Sequence, residues 1–379
     1  MGSHLLEWMF GMKASSSAGP GSGQARFPNP GRPSLAPPEI RPPNPIQSDP
    51  DNPPEPSMTA PRTGGIQPIS GATALVGVLG DPVRHSLSPA MHNAALRELG
   101  LDWVYLALPT PAARLAQVLN ALEAIDCRGL NITLPHKQAV TLLAAERSPL
   151  AEQVGAVNTL VRRPGGGWLG TNTDVEGCLA PLRGEAPPHR ALVLGCGGSA
   201  RAVVAALASL GVERIGVAAR RADARRALVA SCLSWAPGLE PVAWPPETTP
   251  EPQGAETTAL LSSWLEAADL VVNTTPVGMA SAKDPATALR SPLEAEALAR
   301  LRPGTTVYDL IYTPRPTALL RQAAARGCHT LDGLEMLVRQ GAAALRLWSG
   351  INDIPVGAMR EAAEAALAAE QTRLCAGSA

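Results

Sequence analysis

The sequence predicts an α/β protein of two domains built on largely parallel sheets. Three observations carry that prediction. The chain has 379 residues, and at roughly 150 residues per domain two folded domains are the natural division. From Ala74 onward, apolar runs of strand length alternate with stretches of helical period, which is the pattern of α/β units. A second such series opens near Arg190, with an apolar run that ends in clustered glycines.

Residues 1–72 stand apart. They hold fifteen of the 38 prolines, in stretches such as "RPSLAPPEIRPPNP", and a composition of this kind cannot bury a core. They are expected to form a disordered, Pro-rich extension. The opening "LLEWMFGM" carries Glu7 and no basic lead-in, which argues against a signal peptide.

The first series then runs in order. "ALVGVLG" reads as a buried strand, "SPAMHNAALRELG" as a helix closed by Gly100, and "DWVYLALP" as a strand. "AARLAQVLNALEAI" reads as a helix, and "CRGLNITL" as a strand leading into a helix from Pro135 to about Glu146. Pro at the first helical position is the expected start signal. In the second series "RALVLG" is a strand, and "ARAVVAALASLG" is a helix with Val203, Val204, Leu207 and Leu210 on one face. "RIGVAAR", "ADLVVNTT" and "TTVYDLI" are further strands. The proline-rich stretch 244–258 reads as a surface loop. Two helices, "LEMLVRQGAAALRLW" and "GAMREAAEAALAAE", close the chain. Hinges are expected at 180–190 and 327–332.

Composition narrows the function. A hydrophobic content of 45% is ample for two cores, and a net charge of −1 offers nothing to a polyanion, so no nucleic-acid partner is expected. No apolar run reaches the length of a membrane span. Six cysteines (127, 178, 196, 232, 328 and 375) are scattered without a C-x-x-C pair. They read as reduced thiols of a cytoplasmic protein, with no metal expected. Monomer and homodimer both stay open.

The clearest motif is "RALVLGCGGSARAV". Gly195, Gly197 and Ala200 form a G-x-G-x-x-A pattern between an apolar strand and an amphipathic helix, the context such a motif requires for dinucleotide binding. Gly195 makes the turn, Gly197 lets backbone approach a pyrophosphate, and Ala200 permits close helix–strand packing. Gly198 and Ser199 lie at the helix N-terminus, whose N–H groups suit phosphates. This predicts a Rossmann-type domain. The next strand end chooses the nucleotide. An acid there would bond a free ribose 2′-hydroxyl; "AARRADARR" instead supplies Arg220 and Arg221, with Arg225 and Arg226 a turn later. Guanidinium groups suit a 2′-phosphate, so NADP(H) is the expected cofactor.

A second set of polar residues lies ahead of this motif. Ser86 and Ser88 precede a helix and can cap it or receive a carboxylate. Asn131 and Thr133 share one side of a strand end, Asn158 sits in "GAVNTL", and Thr173 and Asp174 sit in "GTNTDVEG". Asp174 can equally cap the helix that follows. Lys137 is one of only three lysines, against 29 arginines. It falls in the expected first turn of a helix, where the macrodipole disfavours a cation. Lys can release a proton where Arg cannot. Together these groups suit a small polyhydroxylated acid.

From about Leu75 to Glu370 the chain resembles shikimate dehydrogenases. The motifs that carry the resemblance are "HSLSPAMHNAAL", "GLNITLPHK", "GAVNTL", "GTNTDVEG", "VLGCGGSARAV", "NTTPVGM", "DLIYTPRPT" and "DGLEMLVRQGAAALRLW". The resemblance implies NADPH-dependent, reversible reduction of 3-dehydroshikimate to shikimate. It implies that Lys137 and Asp174 are the catalytic pair and that Ser86 and Ser88 hold the substrate carboxylate. It places Asn131, Thr133, Asn158, Thr173, Tyr312 and Gln340 at the substrate, and Thr274 and Met336 with the cofactor residues. Met336 and Gln340 are four residues apart on one helical face. It also implies that the C-terminal helices return to the first domain. The expected division is then a substrate domain of residues 73–182 with 329–372, an NADP-binding domain of 187–328, and a tail of 373–379. The family's usual Asn-Arg-Thr strand end reads Ala219-Arg220-Arg221 here, which leaves part of the 2′-phosphate grip unassigned. Cys196 stands where the family usually has Ala, and His85, His92 and His136 are read as structural. The nearest alternative is a quinate/shikimate dehydrogenase of broader specificity; a non-catalytic sensor is disfavoured because Lys137 and Asp174 are both present.

Overall fold

The computed structural model describes residues 68–184, 186–244, 261–280 and 284–376. Most of the Pro-rich extension and most of the 244–258 loop lie outside these residues.

The first lobe is a six-stranded sheet in the order β2-β1-β3-β5-β6-β4. Its strands are β1 (Ala74–Gly80), β2 (Trp103–Pro109), β3 (Gly129–Ile132), β4 (Glu146–Arg147), β5 (Thr159–Arg162) and β6 (Trp168–Thr171). β1 pairs in parallel with both β2 and β3, whereas β5 runs antiparallel to β3 and to β6. β4 pairs with β6 in parallel, so the sheet stays mainly parallel, with β5 as its antiparallel strand. Its antiparallel part is a hairpin turned by "RPGGG", where Gly166 and Gly167 take φ of 91° and 73°, a region that costs glycine nothing. The helices of this lobe are α1 (Ser88–Glu98), α2 (Leu115–Ala124), α3 (Ala139–Leu143), α4 (Pro149–Val154) and α5 (Asp174–Leu179).

One expectation fails here. The helix read from Pro135 to Glu146 is only α3. His136 N–H bonds to Thr133 O at 2.9 Å, which closes a turn over 133–136 before any helix begins. At the other end Glu146 and Arg147 leave the helix to pair with β6. Lys137 thus precedes the helix instead of sitting in its first turn. Likewise Asp174 does not cap α5 but is its first residue, and Thr173 in the capping position makes no side-chain cap bond.

The second lobe is a six-stranded, wholly parallel sheet ordered β12-β11-β10-β7-β8-β9. It comprises β7 (Arg190–Leu194), β8 (Arg214–Ala219), β9 (Leu239–Ala243), β10 (Leu270–Asn273), β11 (Thr306–Asp309) and β12 (His329–Leu331). Between the strands come α6 (Gly198–Ser209), α7 (Ala222–Cys232), α8 over 261–267, α9 (Ala295–Leu298) and α10 (Ala318–Ala324). Because β12 pairs with β11, the second lobe runs through Leu331 and not merely to residue 328. The reason is backbone pairing, which a short exposed strand such as "HTL" does not announce by hydrophobicity.

Two helices then cross back, α11 (Leu334–Ser349) and α12 (Val356–Ala376). The last helix continues four residues past the expected limit of 372. Val338, Leu345, Met359 and Ala363 are fully buried, in one core with Val76, Met91, Ala95 and Tyr105. Each large apolar side chain so buried contributes roughly 1.5–3 kcal/mol, and that is what brings the chain's end home to the first sheet. Gly129 and Gly177 allow the close approach. A Cβ on Gly129 would run into the Trp348 indole, and one on Gly177 would lie 2.7 Å from Met336 O. No described helix is long and apolar enough to cross a membrane.

Candidate active site

The polar residues singled out in the sequence converge where β3, β5 and α5 meet the start of α6. Lys137 Nζ donates to Asp174 Oδ2 at 2.6 Å and lies 3.3 Å from Ser199 Oγ. Both members of the pair are largely buried, at 13% and 6% side-chain exposure. Lys137 is fixed from its backbone: its carbonyl accepts from Val157 N–H at 2.9 Å and from the Thr141 hydroxyl at 3.1 Å. Its stem packs under Gly198, where a Cβ would sit 3.1 Å from Lys137 Cβ. The glycine of the second lobe thereby admits the lysine of the first.

Asp174 is oriented as firmly. Its Oδ1 accepts from Asn158 Nδ2 at 2.8 Å, and Asn158 Nδ2 also reaches Thr173 Oγ1 at 3.0 Å and Gln340 Oε1 at 3.4 Å. Asn158 Oδ1 accepts from Thr173 N–H at 2.7 Å, which fixes the amide's orientation. With one carboxylate oxygen spent on Asn158 and the other on Lys137, Asp174 has little freedom to rotate. Gln340 is held in turn by its own Nε2, which donates to Leu337 O at 2.8 Å. Asn131 joins through Thr159, whose hydroxyl accepts from Asn131 Nδ2 at 3.2 Å.

Other expected residues stand at the edges of this cluster. Ser88 is buried at the start of α1, and its backbone N–H donates to Ser86 Oγ at 3.2 Å. Neither caps the helix by side chain; Leu87 occupies the cap position. Thr133 follows β3 on the same side as Asn131, and Gly80 faces its methyl group so closely that a Cβ there would collide with it. Tyr312 packs against the core shared by α1 and α11, and burial pushes its phenol up to about 12. Met336 is buried on α11, with its carbonyl against Gly177 of α5. His136 and His92 bond to backbone carbonyls. His136 is buried with Nε2 donating to Thr110 O at 2.7 Å, and His92 donates from Nδ1 to Ser88 O at 2.9 Å.

The second lobe supplies a site fit for a dinucleotide. Gly195 has φ of 116°, a left-handed value that a side chain would strain. A Cβ there would also collide with Thr274 Oγ1, which itself donates to Leu194 O at 2.8 Å. Gly197 leads into α6 with no side-chain cap and open space where a Cβ would be. The first N–H groups of this twelve-residue helix are thus left for an anion. Ala200 is fully buried against the sheet. At the end of β8, Arg220 lines a cavity of about 510 Å³ together with Pro276, Val277, Gly278 and Arg290. Arg221 is exposed at the N-cap of α7. A turn later, Arg225 donates to Ala219 O at 2.6 Å, and Arg226 pairs with Asp223 at 2.6 Å.

Three residues of the site were not singled out as its members from the sequence. Thr159 connects Asn131 to Asn158 and Thr173, with Oγ1 2.9 Å from Thr173 Oγ1. Its neighbour Asn158 was the available signal. Tyr105 donates to Asn131 Oδ1 at 2.8 Å from inside the first core. Arg290 shares the Arg220 cavity although it is distant in sequence.

Comparison with known proteins agrees with this architecture. The family profile described as the shikimate dehydrogenase substrate binding domain matches residues 78–160, and that of the shikimate 5′-dehydrogenase C-terminal domain matches residues 333–364. The chain is 46% identical over 300 residues to the shikimate dehydrogenase (NADP(+)) of Synechococcus sp. (strain JA-2-3B'a(2-13)), covering 79% of this chain and 98% of that one. It is 47% identical over 306 residues to the enzyme of the same name from Thermosynechococcus vestitus, covering 80% and 99%. Among solved structures, the shikimate 5-dehydrogenase of Thermus thermophilus in complex with NADP(H) and shikimate is 38% identical. The match covers 78% of this chain and 100% of that one, with a TM-score of 0.64. The chain belongs to the shikimate dehydrogenase family.

Proposed function

We propose that the protein is an NADP-dependent shikimate dehydrogenase, which reversibly reduces 3-dehydroshikimate to shikimate. The observation that carries this reading is the buried Lys137–Asp174 pair at 2.6 Å, held 3.3 Å from Ser199 at the mouth of the glycine turn. A proton-handling pair and a phosphate-binding helix are thereby brought to one place. Relatives bearing this activity in their names align over nearly their whole length.

The bound nicotinamide supplies or accepts the hydride. The residues of the chain handle the rest. In the direction of reduction Lys137, as an ammonium, donates a proton to the carbonyl oxygen as the alcohol forms; in reverse it takes the hydroxyl proton. Asp174 keeps the ammonium on line, and Asn158 keeps Asp174 on line, so the pair acts by positioning as well as by proton transfer. Ser86 and Ser88 receive the substrate carboxylate. Asn131, Thr133, Asn158, Thr173, Tyr312 and Gln340 meet its hydroxyls. Gly195, Gly197, Gly198, Ser199 and Ala200 form the pyrophosphate turn. Thr274 and Met336 flank the cofactor, and Arg220 with Arg221 grips the 2′-phosphate. The substrate domain comprises residues 73–182 and the C-terminal helices, around the dinucleotide domain that opens at residue 187.

The test is steady-state turnover, followed by the absorbance of the reduced nicotinamide, with shikimate and quinate each offered NADP⁺ and NAD⁺. Turnover concentrated on shikimate with NADP⁺ is expected. Comparable rates with quinate would place the protein among broader-specificity quinate/shikimate enzymes, and no turnover with any pair would sink the reading.

A further inference from the structure

Tyr105 is one of the largest fully buried side chains, yet its hydroxyl is hydrogen-bonded to a side chain of the polar cluster. The phenol donates to Asn131 Oδ1 at 2.8 Å, with the Ser88 side chain beside it. A buried hydroxyl of this kind needs a partner, and here the partner is an amide that the proposed function places against the substrate. Asn131 Nδ2 in turn donates to Thr159 Oγ1 at 3.2 Å. An amide nitrogen carries two hydrogens. With its oxygen satisfied by Tyr105 and one hydrogen by Thr159, Asn131 has a single N–H left to offer.

The ring is held as rigidly as its hydroxyl. Asn93 brackets the Tyr105 backbone, its Nδ2 donating to Tyr105 O and its Oδ1 accepting from Tyr105 N–H, each at 2.9 Å. The His92 ring stacks on the phenol at 4.0 Å with 13° between the planes. Trp348 of α11 tilts against it at 6.2 Å. A residue held only to fill the core would do as well as Phe.

We propose that Tyr105 is a positioning residue of the substrate site: by occupying Asn131 Oδ1 it fixes the amide so that the remaining N–H is turned to a substrate hydroxyl. This rests on the reading that Asn131 meets the substrate. Without the phenolic hydroxyl, the Asn131 amide loses the partner that distinguishes its two ends.

The experiment is steady-state kinetics of wild type, Tyr105→Phe, Asn131→Ala and the double variant, with shikimate and NADP⁺. Tyr105→Phe should raise the shikimate KM about threefold to tenfold, the worth of one neutral hydrogen bond. Its kcat and its KM for NADP⁺ should stay within a factor of about two, as for uniform ground-state binding. In the Asn131→Ala background the same change should add nothing, since residues acting through one contact are non-additive. An unchanged shikimate KM overturns the proposal, as does an equal factor in both backgrounds or a matching rise in the NADP⁺ KM. If Tyr105→Phe does not fold, Asn131→Asp decides, because it keeps an acceptor for Tyr105 and has no N–H. It should raise the shikimate KM at least as far as Asn131→Ala, and a wild-type KM overturns the proposal. Absence of shikimate turnover in wild type would instead defeat the functional reading on which this rests.

Discussion

Lys137 owes its setting to four neighbours more than to its place on a helix. The sequence marks it as unusual by residue choice alone, as one of three lysines. Its reach to Asp174, Ser199, Val157 and Gly198 could not be read there, because those partners come from α5, the start of α6 and the approach to β5. With the turn at 133–136 delaying the helix, Lys137 lies outside its first turn. Arg220 shows the opposite balance. Its proposed role rests on a strand-end position and an absent acid, whereas Arg225 and Arg226 have partners in Ala219 and Asp223 that the sequence did not announce. Arg220→Ala should therefore weaken NADP⁺ about tenfold to a hundredfold, the worth of a charge-assisted hydrogen bond, and leave NAD⁺ nearly unchanged. Equal losses in the two KM values would remove Arg220 from the 2′-phosphate.

His92 makes a residue-scale prediction about pH. Burial lowers it from 6.5 to about 4, against opposing backbone bonds at Ser88 and Gly341. The folded protein keeps the ring neutral while the unfolded chain protonates it. The resulting stability is complete above pH 6.5 and is lost as pH falls toward 4, by on the order of 3 kcal/mol in all. Asp309 runs the other way. Burial raises its carboxyl to about 6 despite bonds from Thr317, Ile311 and Asn273, so its contribution is present below pH 3.8 and lost as pH rises to 6. The variant His92→Gln isolates the first effect. Its melting temperature should fall less steeply than that of wild type between pH 6.5 and 4; identical slopes would mean that His92 does not protonate on unfolding.

At the scale of elements, the close approach of α11 to α5 sets where Gln340 points. Gly177 makes it possible, since a Cβ there would lie 2.7 Å from Met336 O and 2.8 Å from Gln340 Cβ. Gly177→Ala gains about 0.8–1 kcal/mol of helix propensity and meets an overpacking cost of about 1–3 kcal/mol. A net loss of thermal stability is expected, together with a higher shikimate KM as Gln340 is pushed from Asn158. Unchanged stability and KM would show that the helices part without consequence. Element identity was well signposted by sequence for β7, β8, β10 and β11, where buried parallel strands read as apolar runs, but not for β9 and β12. It was weaker for β4, β5 and β6, which are short, partly exposed and defined by pairing. Glu146 and Arg147 form a two-residue strand with both side chains exposed, so hydrophobicity offered no signal there.

At the scale of the whole molecule, the proposed reaction draws on two sheets. The first supplies Lys137, Asp174 and the amides; the second supplies the glycine turn, with Ser199 3.3 Å from the lysine. The Pro-rich and apolar contrasts in the sequence placed both lobes, and the glycine motif identified the second. The return of α11 and α12 to the first lobe came from family resemblance. Its physical cause, a shared core of Val338, Leu345, Met359 and Val76, is a long-range match that periodicity cannot express. The proposed mechanism draws on that assembly as a unit, and Lys137 is where it can be interrupted with least disturbance. The decisive measurement is therefore oxidation of shikimate with NADP⁺ by wild type and Lys137→Ala, compared by kcat at saturation. Wild type should turn over, and the variant should lose about 10²–10⁴-fold in kcat with little change in shikimate KM. A variant that keeps the wild-type kcat would contradict the assignment of proton transfer to this lysine.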